Sequence, residues 1–178
     1  MKANAEKVIF CSETDEWGTP NDLFHKIAKE LSTDRTNGML KNYKGKEYYA
    51  GKDTKKYNIQ GILAELIAQE YFLQNDTEYK ALTFLGTEPE VEADILVGKR
   101  KIDVKYIPTH GKLLIVNYNA HNNKNKQVTE YMFIQPIERY TFAQAKAIIW
   151  FVDHKEVNTW NVEQQTRTKV YSKKILIK

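Results

Sequence analysis

Two short alternating runs, Glu92-Ala93-Asp94-Ile95-Leu96-Val97 and Lys101-Ile102-Asp103-Val104-Lys105-Tyr106, are separated only by Gly98-Lys99-Arg100. This spacing constrains the fold more than any other feature of the chain. Segments of period 2 joined by a short glycine-containing turn pair as a β-hairpin, because the connection is too short for anything else. Residues two apart on a strand share a face. Ile102, Val104 and Tyr106 therefore point one way, and Asp103 and Lys105 the other. If the two runs pair, Asp94 lies across from them, so two carboxylates and one ammonium converge. Such a cluster can hold a hard divalent cation through oxygen and set a positive charge beside an attacking water or a phosphate oxygen. The plainer alternative is an ordinary ion pair on the outer face of a hairpin, since D-x-K is a short pattern.

Upstream, Ile59 to Leu73 carries apolar residues at helical spacing. Ile62, Leu66 and Leu73, with Leu63, Ile67, Ala68 and Tyr71 beside them, form a wide stripe. Glu65 falls inside it. An acid in that setting is either a helix-edge residue whose carboxylate reaches water or a third acid aimed at the hairpin. Downstream, Lys112–Asn119, Tyr131–Ile137 and Ala147–Val152 read as strands, and Thr141–Lys146 as a short helix ahead of the last of them. A helix followed by a hairpin and three more strands predicts an α/β core.

The ordered set formed by Glu65 in G-I-L-A-E-L, Asp94 in E-A-D-I-L-V, and Asp103 with Lys105 in I-D-V-K resembles the PD-(D/E)XK, or restriction-endonuclease-like, nuclease superfamily. The resemblance covers about residues 59–153. Ala93 stands where the family motif has proline, a residue that many members lack. The resemblance implies a restriction-endonuclease-like core, with a central mixed sheet flanked by helices. It implies that Asp94 and Asp103 bind Mg²⁺, for which Mn²⁺ can substitute, that Glu65 assists metal binding, and that Lys105 positions or activates the nucleophile. DNA is then the expected partner, and a homodimer is compatible with double-strand cleavage by one small site.

Composition agrees with that class. The 178 residues suit one domain, and the net charge of +4 permits a phosphate-backbone partner without demanding one. A single cysteine, Cys11, excludes an internal disulfide and a cysteine-based zinc site. With no long apolar run to mark a signal peptide or membrane span, the expected location is the cytoplasm of a bacterial cell or a phage-infected host.

Residues 1–58 are expected to add an N-terminal helix and a basic, aromatic arm packed on a nuclease-like core formed by residues 59–178. Thr19-Pro20-Asn21-Asp22 reads as a helix start, with Leu23, Phe24, Ile27, Ala28 and Leu31 as its apolar face. The string from Asp15 to Pro20, with Leu23-Phe24, resembles the opening of phage-type adenine-N6 DNA methyltransferases. The catalytic and cofactor-binding motifs of those enzymes are absent, so no methyl transfer is expected. In residues 33–58, Lys44, Lys46, Lys55 and Lys56 alternate with tyrosines, either as a nucleic-acid-contacting arm or as a solvated loop. The same choice applies to His121, Lys124 and Lys126 in the polar loop His121–Gln127, and Asn117 and Asn119 at the end of the strand before it are counted with them as candidate nucleic-acid contacts. The lysine-rich end, from Asn161 onward, is expected to form a closing edge strand. The function expected overall is Mg²⁺-dependent hydrolysis of DNA. The alternative is a catalytically silent nucleic-acid-binding protein that keeps a nuclease-like fold.

Overall fold

The predicted hairpin forms, with a turn tighter than expected. Strands β3 (Ile95–Val97) and β4 (Arg100–Tyr106) pair with Val97 opposite Arg100, so only Gly98 and Lys99 lie in the loop. Gly98 adopts φ 56°, a conformation that costs glycine nothing and that two-residue hairpin turns require. The computed structural model describes residues 5–11, 23–42, 54–82, 93–124, 127–140, 144–165 and 168–175.

Around the hairpin the chain builds a mixed α/β fold. A six-stranded sheet runs in the order β1-β7-β6-β4-β3-β2, with β1 Ala5–Cys11, β2 Lys80–Ala81, β6 Glu130–Tyr140 and β7 Gln144–Asp153. All its neighbours pair antiparallel except β4 and β6, which are parallel, with Asp103 opposite Tyr131 and Lys105 opposite Phe133. A parallel pair needs a long crossover. Residues 107–129 supply it, carrying β5 (Leu113–Asn117) and the one-turn helix α3 (Tyr118–His121). Arg100 grips Glu130 through Nε and Nη2 at 2.8 and 2.6 Å, which ties the first residue of β4 to the first of β6.

Helix α2 (Thr54–Gln74) lies on one face of the sheet, packed against β1, β4 and β6, with α1 (Leu23–Asn42) packed on α2. Ile62, Leu63, Ile67 and Phe72 of α2 meet Ile95, Ile102, Val104, Met132, Ile134 and Ile149 of the sheet. Helix α2 also takes α1 on its other side, where Ala28 and Ser32 are fully buried. A helix enclosed on two sides needs a wide apolar stripe, and that is the pattern of residues 59–73.

The opposite face is covered differently from the expectation. Residues 113–117 leave the main sheet and join a separate antiparallel sheet, β5-β9-β8, with β8 Asn161–Gln165 and β9 Thr168–Lys174. This small sheet and the one-turn helix α4 (His154–Val157) bury Leu114, Val116, Val157, Trp160 and Tyr171 against Tyr131, Phe133, Trp150 and Val152. Helices therefore flank one face of the central sheet, and an antiparallel sheet with two helical turns fills the other. The C-terminal stretch makes two strands instead of one, with β9 internal and β8 at the edge. Residues 144–146 continue β7, so the short helix expected over Thr141–Lys146 is not formed there. The β-branched run Ile148-Ile149 and the pairing with both β1 and β6 favour extension over helix.

The crossover begins with a turn held by one side chain. Gln135, 1 % exposed, donates from Nε2 to the carbonyls of Pro108, Thr109 and Gly111 at 3.0, 3.1 and 2.9 Å. Gly111 belongs to the same clamp, since a Cβ there would sit 2.6 Å from Ile107 Cγ2 and 2.9 Å from the Pro108 carbonyl. Gln135→Leu should leave these carbonyls without a donor and destabilise the protein by about 1–3 kcal/mol, read as a lower urea midpoint at unchanged slope.

Candidate active site

Strand β3 is short, and its end sets the site. Ile95 pairs with Ile102, which places Asp94 and Asp103 at the next register position, and the Asp94 N–H donates to the Ile102 carbonyl at 2.9 Å. The strand begins only at Ile95, and Asp94, just ahead of it, turns its side chain onto β4. Its Oδ2 accepts the Val104 N–H at 2.7 Å. That bond gives the carboxylate a fixed place beside the strand carrying Asp103 and Lys105.

Alternation along β4 works as the sequence predicts. Ile102 and Val104 enter the helix-side core, while Asp103 and Lys105 take the other parity and form an ion pair between Asp103 Oδ2 and Lys105 Nζ. Asp103 is 4 % exposed, and Lys105 is half-buried. Burial works against the Lys105 ammonium, but the carboxylates of Asp103, Asp94 and Glu65 outweigh it and hold its pKa above the ordinary value. The lysine is a resident cation of this cluster.

Glu65 arrives from α2. It is 4 % exposed, so it is not a helix-edge acid reaching water. Burial, reinforced by the Asp94 charge, raises its pKa to about 8, against the opposing pull of Arg35 and Lys105. Glu65 Oε1 accepts from Arg35 Nη2 at 2.7 Å, whereas Oε2 is buried with no hydrogen-bond partner among the described residues. Arg35, on α1, lies outside every motif that the sequence singles out. Its signal was only a guanidinium on the polar side of the N-terminal helix, and nothing local relates it to an acid 30 residues later.

Glu65, Asp94, Asp103 and Lys105 thus form one electrostatically coupled group drawn from α2, the start of β3, and β4. The donor set is all oxygen, which suits a hard cation. A bare buried carboxylate oxygen on Glu65 is the kind of atom that a cation would satisfy. Among the described residues no three His, Cys, Asp or Glu side chains stand together as a ready-made metal cage. That is compatible with magnesium, which commonly takes one or two carboxylates and fills its octahedron with waters and substrate phosphate.

The candidate nucleic-acid contacts divide. Lys44, Lys46 and Lys126 lie outside the described residues, as do Trp17 and the rest of the methyltransferase-like string from Asp15 to Pro20. Lys55 is on α2, with its side chain outside the described set, and Lys56 is exposed near the start of that helix. Asn119 and Lys124 are exposed on and just after α3. Asn117 is committed locally, since its Oδ1 caps α3 by accepting the Ala120 N–H at 3.0 Å.

His121 does not present an edge to solvent. It is 3 % exposed, its Nδ1 is 2.9 Å from the Tyr131 hydroxyl, its Nε2 is 3.1 Å from Asn158 Oδ1, and its ring stacks on His154 at 3.9 Å. The small-sheet layer closes over it, which a sequence reading of a polar loop could not anticipate. Burial, with the neighbouring His154, lowers its pKa despite the bond to Asn158. Tyr131, which faces Asp103 across the parallel pair, has its phenol pushed up by burial and by the Asp103 charge.

No family model matches the chain, and no curated protein or solved structure matches it either. Among the described residues no helix is long and apolar enough to cross a membrane.

Proposed function

We propose that this protein is a magnesium-dependent nuclease of the restriction-endonuclease-like kind that hydrolyses phosphodiester bonds in DNA. The observation that carries this reading is that Asp94 and Asp103 stand at one register position, with Lys105 ion-paired to Asp103 and with a buried Glu65 whose Oε2 has no hydrogen-bond partner among the described residues. Asp94 and Asp103 would hold the cation, with Glu65 completing its shell directly or through water. When bound, the cation supplies a more acidic water and a counter-charge for the phosphate. Lys105, kept protonated by three carboxylates, acts as a fixed positive charge: it orients the attacking water and balances charge developing on the phosphorane. A DNA substrate fits the mildly basic chain and a cytoplasmic setting, and exposed Lys56, Asn119 and Lys124 are available to the backbone of a duplex.

One observation favours the second reading, a silent DNA-binding protein. Each acid already has a partner within the protein: Val104 N–H for Asp94, Lys105 for Asp103, and Arg35 for Glu65. Supercoiled plasmid incubated with Mg²⁺, with Mn²⁺ and with EDTA separates the two. Nicking or linearisation in either metal and none in EDTA is the expected result. A gel shift without nicking in both metals would instead identify the silent binder. Linear, single-stranded and branched DNA and RNA in the same panel define the substrate class.

A further inference from the structure

Arg35 and Gly61 make a second arrangement around Glu65. Helix α1 is registered on α2 by a polar ladder: Asn58 Nδ2 donates to Thr36 Oγ1 at 2.8 Å, and Thr36 Oγ1 in turn donates to the Ser32 carbonyl at 2.7 Å. Asn58 is 8 % exposed and Ser32 fully buried, so the ladder lies inside the helix–helix interface. It delivers the residue next to Thr36, Arg35, onto the face of α2 that carries Gly61 and Glu65, one turn apart. Glycine inside a helix is less favourable than alanine, so its presence there wants a reason. The guanidinium gives one, because a Cβ on Gly61 would touch Arg35 Nη1 at 3.5 Å. An alanine would be in ordinary contact, while a longer side chain would displace the guanidinium. Arg35 then binds Oε1 of Glu65 and leaves Oε2 unpartnered among the described residues.

We propose that Arg35 is a positioning residue of the metal site: it clamps Oε1 of Glu65 so that Oε2 is presented as the oxygen for the divalent cation. This rests on the nuclease reading above and adds to it a residue from the N-terminal helix. Two effects of the guanidinium oppose each other. Its charge repels a nearby cation, whereas its hydrogen bond fixes the rotamer of a ligand that would otherwise turn away. Outer partners that orient metal-binding carboxylates typically contribute 10- to 100-fold in metal affinity, so orientation is expected to win.

The test is calorimetric titration of the full chain with Mn²⁺ alone, without DNA, for wild type, Arg35→Met, Arg35→Lys, Gly61→Leu, Glu65→Gln and Asp94→Asn. Arg35→Met should weaken Mn²⁺ binding by about 10-fold or more. Arg35→Lys should recover part of that loss, and Gly61→Leu should reproduce it with the arginine still present. In a cleavage assay the same variants should raise the Mg²⁺ concentration needed for half-maximal rate more than they lower the rate at saturation. Should Arg35→Met fail to fold, Arg35→Leu replaces it, since it likewise removes every donor to Oε1 and keeps an apolar stem between the helices. If Arg35→Met binds Mn²⁺ as well as or better than wild type while Glu65→Gln and Asp94→Asn bind it poorly, Arg35 only packs the helices. That outcome overturns the positioning role and leaves the nuclease reading standing. Wild-type protein that binds no Mn²⁺, or Asp94→Asn that binds it unchanged, overturns the metal site and this role with it.

Discussion

Lys105→Ala is expected to slow cleavage by about 10²- to 10³-fold, the usual consequence of removing one preorganised charge from the transition state. DNA affinity should change little, because one phosphate contact among several contributes a modest share of binding. The ammonium sits against Asp103 and feels Asp94 and Glu65, so its removal leaves Asp103 and Asp94 without the cation beside them. Their repulsion gives a second signature. The metal-free variant should melt lower than wild type, and magnesium should restore more of its stability than it adds to wild type. Asp103→Asn should also stop cleavage, since it removes a charged cation ligand, while DNA affinity holds or rises as repulsion with phosphate falls. Affinity by gel shift, rate under saturating magnesium and melting with and without the metal decide the case. A Lys105→Ala protein that cuts at near wild-type rate would return Asp103 and Lys105 to the status of a structural ion pair.

The second large effect concerns Glu65 and pH. Its carboxyl titrates near 4.5 when the chain is unfolded and near 8 in the fold. Between those values the unfolded chain has released the proton and the folded one still holds it, so the folded state loses ground as pH rises. The stability contributed by protonated Glu65 is complete below about pH 4.5 and gone above about pH 8. At about 1.4 kcal/mol per unit the loss across that window is on the order of 4–5 kcal/mol, a large part of a typical domain's total. Glu65→Gln keeps the shape and cannot ionise. In EDTA its urea midpoint should be nearly level between pH 5 and pH 9 where wild type declines, and the variant should be the more stable protein at pH 9. Magnesium should narrow that gap at pH 9, because a cation bound to the carboxylate takes the place of the proton. Parallel pH profiles for the two proteins in EDTA would show that Glu65 titrates outside the window.

Much of the fold was legible because its signals are local. Period-2 alternation and a glycine turn are enough to pair residues 94–106, and side-chain parity alone puts Asp103 and Lys105 on one face and Ile102 and Val104 on the other. The stripe in residues 59–73 is equally local, since a helix lying between a sheet and a second helix must be apolar over most of its surface. Glu65 stood out against apolar neighbours, but whether it reached water or a cluster depended on what packed beside it.

What the tertiary structure alone decided concerns partners distant in sequence. Residues 113–117 have the alternation of any strand, and nothing in five residues says which sheet they join. The parallel pairing of β4 with β6 forces the chain to cross the sheet between them, and the crossover deposits this strand in the second layer. The same layer buries His121, which in sequence belongs to a polar loop. Residues 144–146 extend a strand because β1 and β6 both offer hydrogen bonds there, an influence that local propensity does not contain. Arg35 is the sharpest case. Helical periodicity could orient each helix about its own axis, but only the packing of α1 on α2, set by Asn58, Thr36 and the space left by Gly61, brings a guanidinium to Glu65. Local sequence determines secondary structure and side-chain parity through short-range sterics and hydrogen bonding. Which charges meet is determined by where those elements come to rest.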